Sequence, residues 1–156
     1  MTLVTSMQSP GTRYRIIFGD TDAGGIVYHP RYLEMAERGR NEAMRQLGLD
    51  VGKLFATDGY GLALRAAEMK FHAPALFDDL LTVQTSMTRL RAASSIWVSR
   101  IQRGATDICT VTTEIICMDR KLHVPVLFPD LVLAAFRRGK ATASPNPAQP
   151  TPVNGD

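Results

Sequence analysis

The stretch Phe18-Gly19-Asp20-Thr21-Asp22-Ala23-Gly24-Gly25-Ile26-Val27-Tyr28-His29-Pro30-Arg31-Tyr32-Leu33 decides how this chain is read. Just before it, Tyr14-Arg15-Ile16-Ile17-Phe18 is β-branched and aromatic and predicts a short strand. From Arg31 onward, apolar residues recur at helical spacing. Between strand and helix stand Asp20, Asp22, the adjacent glycines Gly24 and Gly25, and His29. A carboxylate placed there lies beside the unpaired N–H groups of a helix start. Those groups carry the positive end of the helix dipole and can polarise a carbonyl or hold an anion. This is equipment for acyl chemistry.

Three readings of the stretch compete. In the first, Asp20 and Asp22 are turn residues and the glycines supply positive φ. In the second, Asp20-Thr21-Asp22 is a phosphotransfer nucleophile after a hydrophobic strand, as in haloacid-dehalogenase-like phosphatases. Against this, Ala23-Gly24 replaces the Gly-Thr continuation, and the chain does not alternate strand and helix as that fold requires. The third is a family resemblance. Asp20 through His29, followed by Tyr32-Leu33, resembles the signature of the 4-hydroxybenzoyl-CoA thioesterase family, and within it the small acyl-CoA thioesterases encoded alongside the Tol–Pal system. The likeness runs from about Tyr14 to Phe136.

Bulk properties bound the alternatives. At 156 residues the chain is one domain by length and can bury a real core. A 45% apolar and 21% charged composition is that of a soluble globular protein. The net charge of +3 helps attract a phosphorylated ligand, but no basic stripe interleaved with aromatics marks nucleic-acid binding. Cys109 and Cys117, on one predicted strand, would stand roughly 26 Å apart, beyond disulfide reach, and read as small buried hydrophobes of a reducing compartment. Met1 to Thr12 lacks a basic segment followed by an apolar run, so no signal peptide is expected, no stretch reaches membrane-spanning length, and the expected compartment is the cytoplasm. No metal-ligand constellation and no Gly-rich phosphate loop is present, so the reading calls for no cofactor.

Residues 1–12 are expected to be a flexible lead-in, 13–139 the domain, and 140–156 a disordered, Pro- and Ala-rich tail. On the long helix Leu33, Ala36, Gly39, Arg40, Ala43 and Leu47 form the inner face. Gly39 costs about 1 kcal/mol of helix propensity, for which close packing against a sheet compensates. Val51 to Phe55 predicts a short helical turn. Leu62 to Phe71 alternates like a strand with a phase slip at Ala66-Ala67, read as a β-bulge. Leu81 to Thr88, Ser95 to Arg103 and Ile108 to Met118 follow as strands, and Leu131 to Arg138 as a final helix. One strand, one long helix and a run of antiparallel strands make an α+β domain, a single antiparallel sheet around a central helix. The resemblance implies the same arrangement, the hot-dog fold. It also implies a homodimer, often doubled to a homotetramer, with sites between subunits. The unpaired sheet edges point the same way.

The resemblance places the catalytic carboxylate at Asp22, attacking the thioester carbonyl or activating water, and leaves Asp20 to shape the loop. Acyl-CoA is the implied substrate, short-chain, aromatic or other. His29 either packs at the helix entry, or binds the carbonyl oxygen through its backbone N–H and protonates or positions the leaving thiolate through its ring. The N–H groups of Tyr28 and His29 are the candidate oxyanion donors. Gly24 and Gly25 permit close approach of the substrate. Arg89 and Arg91, flanking a turn, are candidates for the coenzyme A phosphates. His72 and His123 receive no role, and Ser94 and Ser95 read as solvated strand-start serines. The rival to an enzyme is a non-catalytic hot-dog module that binds an acyl thioester or a partner protein.

Overall fold

The computed structural model describes residues 7–8, 11–56 and 59–141. Two short strands open it, β1 (Met7–Gln8) and β2 (Thr12–Arg15). The chain then passes through the signature loop into α1 (Pro30–Gln46) and α2 (Val51–Ala56). The long strands β3 (Tyr60–Phe71), β4 (Leu80–Leu90), β5 (Ser94–Arg103) and β6 (Thr106–Asp119) follow. β7 (Val124–Pro125) and α3 (Asp130–Ala141) complete it. All strand pairs are antiparallel, and the main order across the sheet is β1-β4-β5-β6-β3, with β2 also on β4 and β7 on β6.

Several boundaries differ from those read in the sequence. The lead-in is not wholly outside the sheet: Met7 pairs with Met87 and Thr12 with Val83, because the edge of β4 offers backbone partners that a polar segment can take. Helix α3 runs through Ala141, two residues into the expected tail. The remainder of the lead-in (1–6 and 9–10) and of the tail (142–156) lies outside the described residues. The first strand ends at Arg15, and Phe18–Asp20 forms a 3-10 turn held by the Ile17 N–H donating to Asp20 Oδ2 at 2.9 Å. The bulge in β3 falls between Leu64 and Ala66, slightly earlier than expected.

Helix α1 lies across the inner face of the sheet and buries Tyr32, Met35, Ala36, Gly39, Arg40, Ala43 and Met44. Leu33 and Leu47 are only half-buried, so the stripe is centred one residue away from the expected one. The core has two apolar halves. One gathers Leu81, Val83, Ile101 and Val111 around Ala36; the other gathers Met87, Trp97, Ile115 and Phe136 around Ala43. Between them lies a belt of buried hydroxyls contributed by β4, β5 and β6: Thr85, Ser99 and Thr113. Thr85 Oγ1 and Ser99 Oγ lie 2.9 Å apart, and Arg40 reaches Thr113 Oγ1 at 3.4 Å. Gly39 lies against this belt: a Cβ there would stand 2.5 Å from Thr85 Oγ1, which is the close approach its sequence position predicts. Ser94 and Ser95 are buried rather than solvated, and Ser95 Oγ accepts the Trp97 Nε1–H at 2.8 Å. Cys109 and Cys117 are free and buried, and burial pushes the Cys109 thiol up to about 11.

Candidate active site

The signature loop folds as a miniature hairpin. Thr21 bridges Val27, the Asp22 N–H donates to the Ile26 carbonyl at 3.0 Å, and the Gly25 N–H donates to the Asp22 carbonyl at 3.0 Å. At its tip Gly25 has φ +78°, a left-handed conformation that glycine adopts without strain. The Gly24 N–H donates to Asp22 Oδ1 at 2.8 Å, so one carboxylate oxygen is held by the turn. A side chain at Gly24 would come within 3.1 Å of that oxygen. Asp22 itself is exposed.

Asp20 is used differently. Its carboxylate accepts the Ile17 N–H, lies 3.7 Å from Arg31 Nε, and its main-chain carbonyl accepts the Tyr28 N–H at 2.8 Å. This corrects one expectation. The Tyr28 N–H is occupied inside the loop and is no oxyanion donor. Pro30 has no N–H, the Arg31 N–H turns back to the Tyr28 carbonyl at 2.9 Å, and that of Tyr32 to the His29 carbonyl at 3.2 Å. Among the described residues, the N–H left without a protein partner at the start of α1 is that of His29, its N-cap residue.

The loop is sewn to the segment joining β3 and β4. Val27 N–H donates to the Ala75 carbonyl at 2.9 Å, and Ile16 exchanges hydrogen bonds with Asp78 and Asp79. Asp79 secures that segment: its carboxylate accepts the Leu76 N–H at 2.8 Å and Arg103 Nη1 at 2.5 Å, and Arg103 also donates to the Pro74 carbonyl. Burial raises the Asp79 carboxyl, but the Leu76 N–H and Arg103 outweigh it and hold the group below the ordinary carboxylate range.

Loop, helix start and β3 end together enclose a cavity of about 490 Å³. Asp22, Ile26, Val27, His29 and Tyr32 line it from one side, and Phe71, His72, Ala73 and Pro74 from the other. Val27 and Tyr32 are 3% and 4% exposed and form an apolar floor, whereas Asp22, His29 and His72 are exposed at the mouth. The Tyr32 ring meets Phe71 with centroids 5.9 Å apart, and burial raises its phenol. The cavity takes an apolar group inward and keeps its polar end beside a carboxylate and a free N–H.

Of the residues singled out in the sequence, Asp22 and His29 meet at the cavity. Gly24 and Gly25 shape the turn behind Asp22 rather than lining the cavity. Tyr28 stands outside it, its ring edge-on to His29 at 4.9 Å. Arg89 and Arg91 lie at and just beyond the other end of β4, roughly 30–40 Å along the strand from Asp79, and do not line this cavity. His72, to which the sequence assigns nothing, lines the mouth with its Nε2 3.0 Å from Thr110 Oγ1. A second, more polar cavity of about 660 Å³, near Phe55, Tyr60 and Arg120, lies at the far end of β3. The carboxylate there, Asp119, is taken up by the N–H groups of Lys121 and Leu122. Among the described residues no cluster of His, Cys, Asp and Glu is arranged to hold a metal ion. Among them, too, no helix is long and apolar enough to cross a membrane.

One antiparallel sheet curled around a long helix, with a loop carboxylate and a helix-start N–H at an apolar cavity, defines a hot-dog domain of the thioesterase type. The chain belongs to the thioesterase-like superfamily, whose profile matches residues 16–136. It is 33% identical over 126 residues to the acyl-CoA thioesterase YbgC of Haemophilus influenzae, covering 81% of this chain and 93% of that protein. To a 1,4-dihydroxy-2-naphthoyl-CoA hydrolase of Thermosynechococcus vestitus it is 26% identical over 128 residues, covering 81% of this chain and 88% of the other. A solved structure of a probable thioesterase from Bartonella henselae superposes with a TM-score of 0.72 at 33% identity, over 77% of this chain and 98% of that one.

Proposed function

We propose that this protein hydrolyses acyl-CoA thioesters to a free acid and coenzyme A. The observation that carries the reading is the pairing of the Asp22 carboxylate with the unpartnered His29 N–H at the mouth of a cavity floored by Val27 and Tyr32. The acyl group enters toward the floor. The thioester oxygen takes the His29 N–H, where the dipole of α1 favours developing negative charge. Asp22 Oδ1 is fixed by Gly24, which aims the carboxylate at the carbonyl carbon. Asp22 then either adds to that carbon, forming a mixed anhydride that water opens, or removes a proton from the attacking water. Asp20 keeps the Tyr28 N–H occupied and the loop in shape.

We propose further that the working form is a homodimer or homotetramer with sites between subunits. Strand β3 ends the sheet with one edge unpaired, and its Leu64 and Phe71 are 48% and 57% exposed. Phe71 also lines the cavity, so a second copy along this edge would wall the site. Ile17, Phe18, Leu76 and Phe77 form another exposed apolar patch, with Phe18 and Phe77 stacked 4.2 Å apart, suited to pairing dimers. Arg89 and Arg91 then serve as phosphate ligands from a neighbouring copy. Free thiols suit the cytoplasm as its compartment.

The test is free-thiol release from short-chain, long-chain and aromatic acyl-CoA esters. Turnover of one class above the others supports the enzyme and names its acyl group. Binding of the esters with no thiol released from any of them would make the protein a non-catalytic binding module instead.

A further inference from the structure

The cavity mouth has two walls. Asp22 and His29 stand on the loop and helix start; the end of β3 supplies Phe71, His72, Ala73 and Pro74. On that second wall His72 is the one side chain able to donate or accept a proton. Its backbone is fixed by the His72 N–H donating to the Ile108 carbonyl at 2.8 Å, and its ring by Nε2 at 3.0 Å from Thr110 Oγ1. The other ring nitrogen, Nδ1, has no protein partner among the described residues.

The thioester carbon carries three groups, and two have places in the reading proposed above: acyl toward Val27 and Tyr32, oxygen toward the His29 N–H. The sulfur must then leave by the remaining direction, outward past the end of β3. Resting on that reading, we infer that His72 is the acid that protonates the departing coenzyme A sulfur. As imidazolium, His72 donates Nε2–H to Thr110 Oγ1 and presents Nδ1–H to the sulfur. When the tetrahedral adduct collapses, the carbon–sulfur bond breaks, its electron pair stays on sulfur, and the Nδ1 proton moves to sulfur. Neutral His72 keeps its bond to Thr110 and regains a proton from water at the exposed mouth. An alkyl thiolate is a basic leaving group, its thiol being no more acidic than that of cysteine, with its pKa of about 8.5, so proton delivery matters to its departure.

The assignment is tested with one acyl group offered as two esters, its coenzyme A thioester and its 4-nitrothiophenol thioester. The arylthiolate is stable at neutral pH and needs no proton to leave. Wild type, His72→Gln and His72→Ala are compared by kcat on both. Glutamine retains a hydrogen-bonding group toward Thr110 and guards against a merely structural loss. The assignment predicts that both variants lose roughly a hundredfold on the coenzyme A ester and run within about threefold of wild type on the arylthio ester. Equal losses on the two esters, or full activity on the coenzyme A ester, would overturn it. Wild type inactive on both esters would instead overturn the hydrolase reading, and this one with it.

Discussion

The Tyr28 N–H donates to the Asp20 carbonyl at 2.8 Å, and this bond takes that amide out of the set of free donors at the start of α1. Because Tyr28 is engaged and Pro30 has no N–H, His29 is left, among the described residues, with the unpartnered N–H at the start of α1. The first aspartate of the pair is thus engaged within the loop through both its carbonyl and its carboxylate, while the second stands exposed at the cavity.

Gly24→Ala tests how finely Asp22 is held. The added Cβ falls 3.1 Å from Asp22 Oδ1, close enough to push the carboxylate by a few tenths of an ångström. A misplacement of 1 Å costs about a hundredfold, so a loss in kcat of roughly tenfold is expected. Gly24 is exposed, so the thermal midpoint should stay near that of wild type. Steady-state kinetics beside a melting curve separates the two effects. A stable, fully active variant would show that the turn does not aim the carboxylate.

Gly39→Ala tests the seam between helix and sheet. Alanine favours a helix by about 1 kcal/mol over glycine. Here its Cβ would meet Thr85 Oγ1 at 2.5 Å and Val83 Cγ1 at 3.0 Å, and overpacking of that kind costs about 1–3 kcal/mol. The clash should win, lowering Tm by several degrees. An unchanged or raised Tm in calorimetry would mean that the helix stands farther from β4 than described.

Asp79→Asn tests the brace behind the cavity. The native carboxyl is held below its ordinary value, so its contribution is full above the ordinary carboxylate range and is lost as pH falls through the lower folded pKa. At neutral pH the variant should lose roughly 1 kcal/mol, allowing for the partial exposure of the pair. Below about pH 4 the deficit should shrink. Urea midpoints of both proteins at pH 7 and pH 3 check this. A deficit that grows on acidification would contradict the assignment.

What the sequence made legible is what short-range chemistry writes into it. The Asp-Thr-Asp-Ala-Gly-Gly run sits in one turn, and the small inner face of α1 and the period-two strands announce themselves within a dozen residues. His72 stayed hidden because its partners are distant in the chain: Thr110 lies 38 residues on, and the loop of Asp22 reaches it only once Val27 has bonded Ala75. Arg103, the last residue of a predicted strand, braces Asp79 because β4 and β5 are in register there. Arg89 and Arg91 look well placed in a basic turn, yet strand direction carries that turn away from the cavity. The Tyr28 N–H departs from expectation for a related reason: helix polarity follows from sequence, but the occupant of each N–H depends on how the preceding loop folds back.

The account stands or falls on Asp22, and the most direct measurement is thiol release by Asp22→Asn from whichever acyl-CoA wild type turns over fastest. Asparagine keeps the size and can still accept the Gly24 N–H, but it has no charge with which to attack carbon or take a proton from water. The account predicts a fall in kcat of at least about a hundredfold with little change in substrate affinity. Asp20→Asn, assayed beside it, should lose only modestly through the loosened loop. A near-normal Asp22→Asn with the large loss at Asp20 would contradict the account.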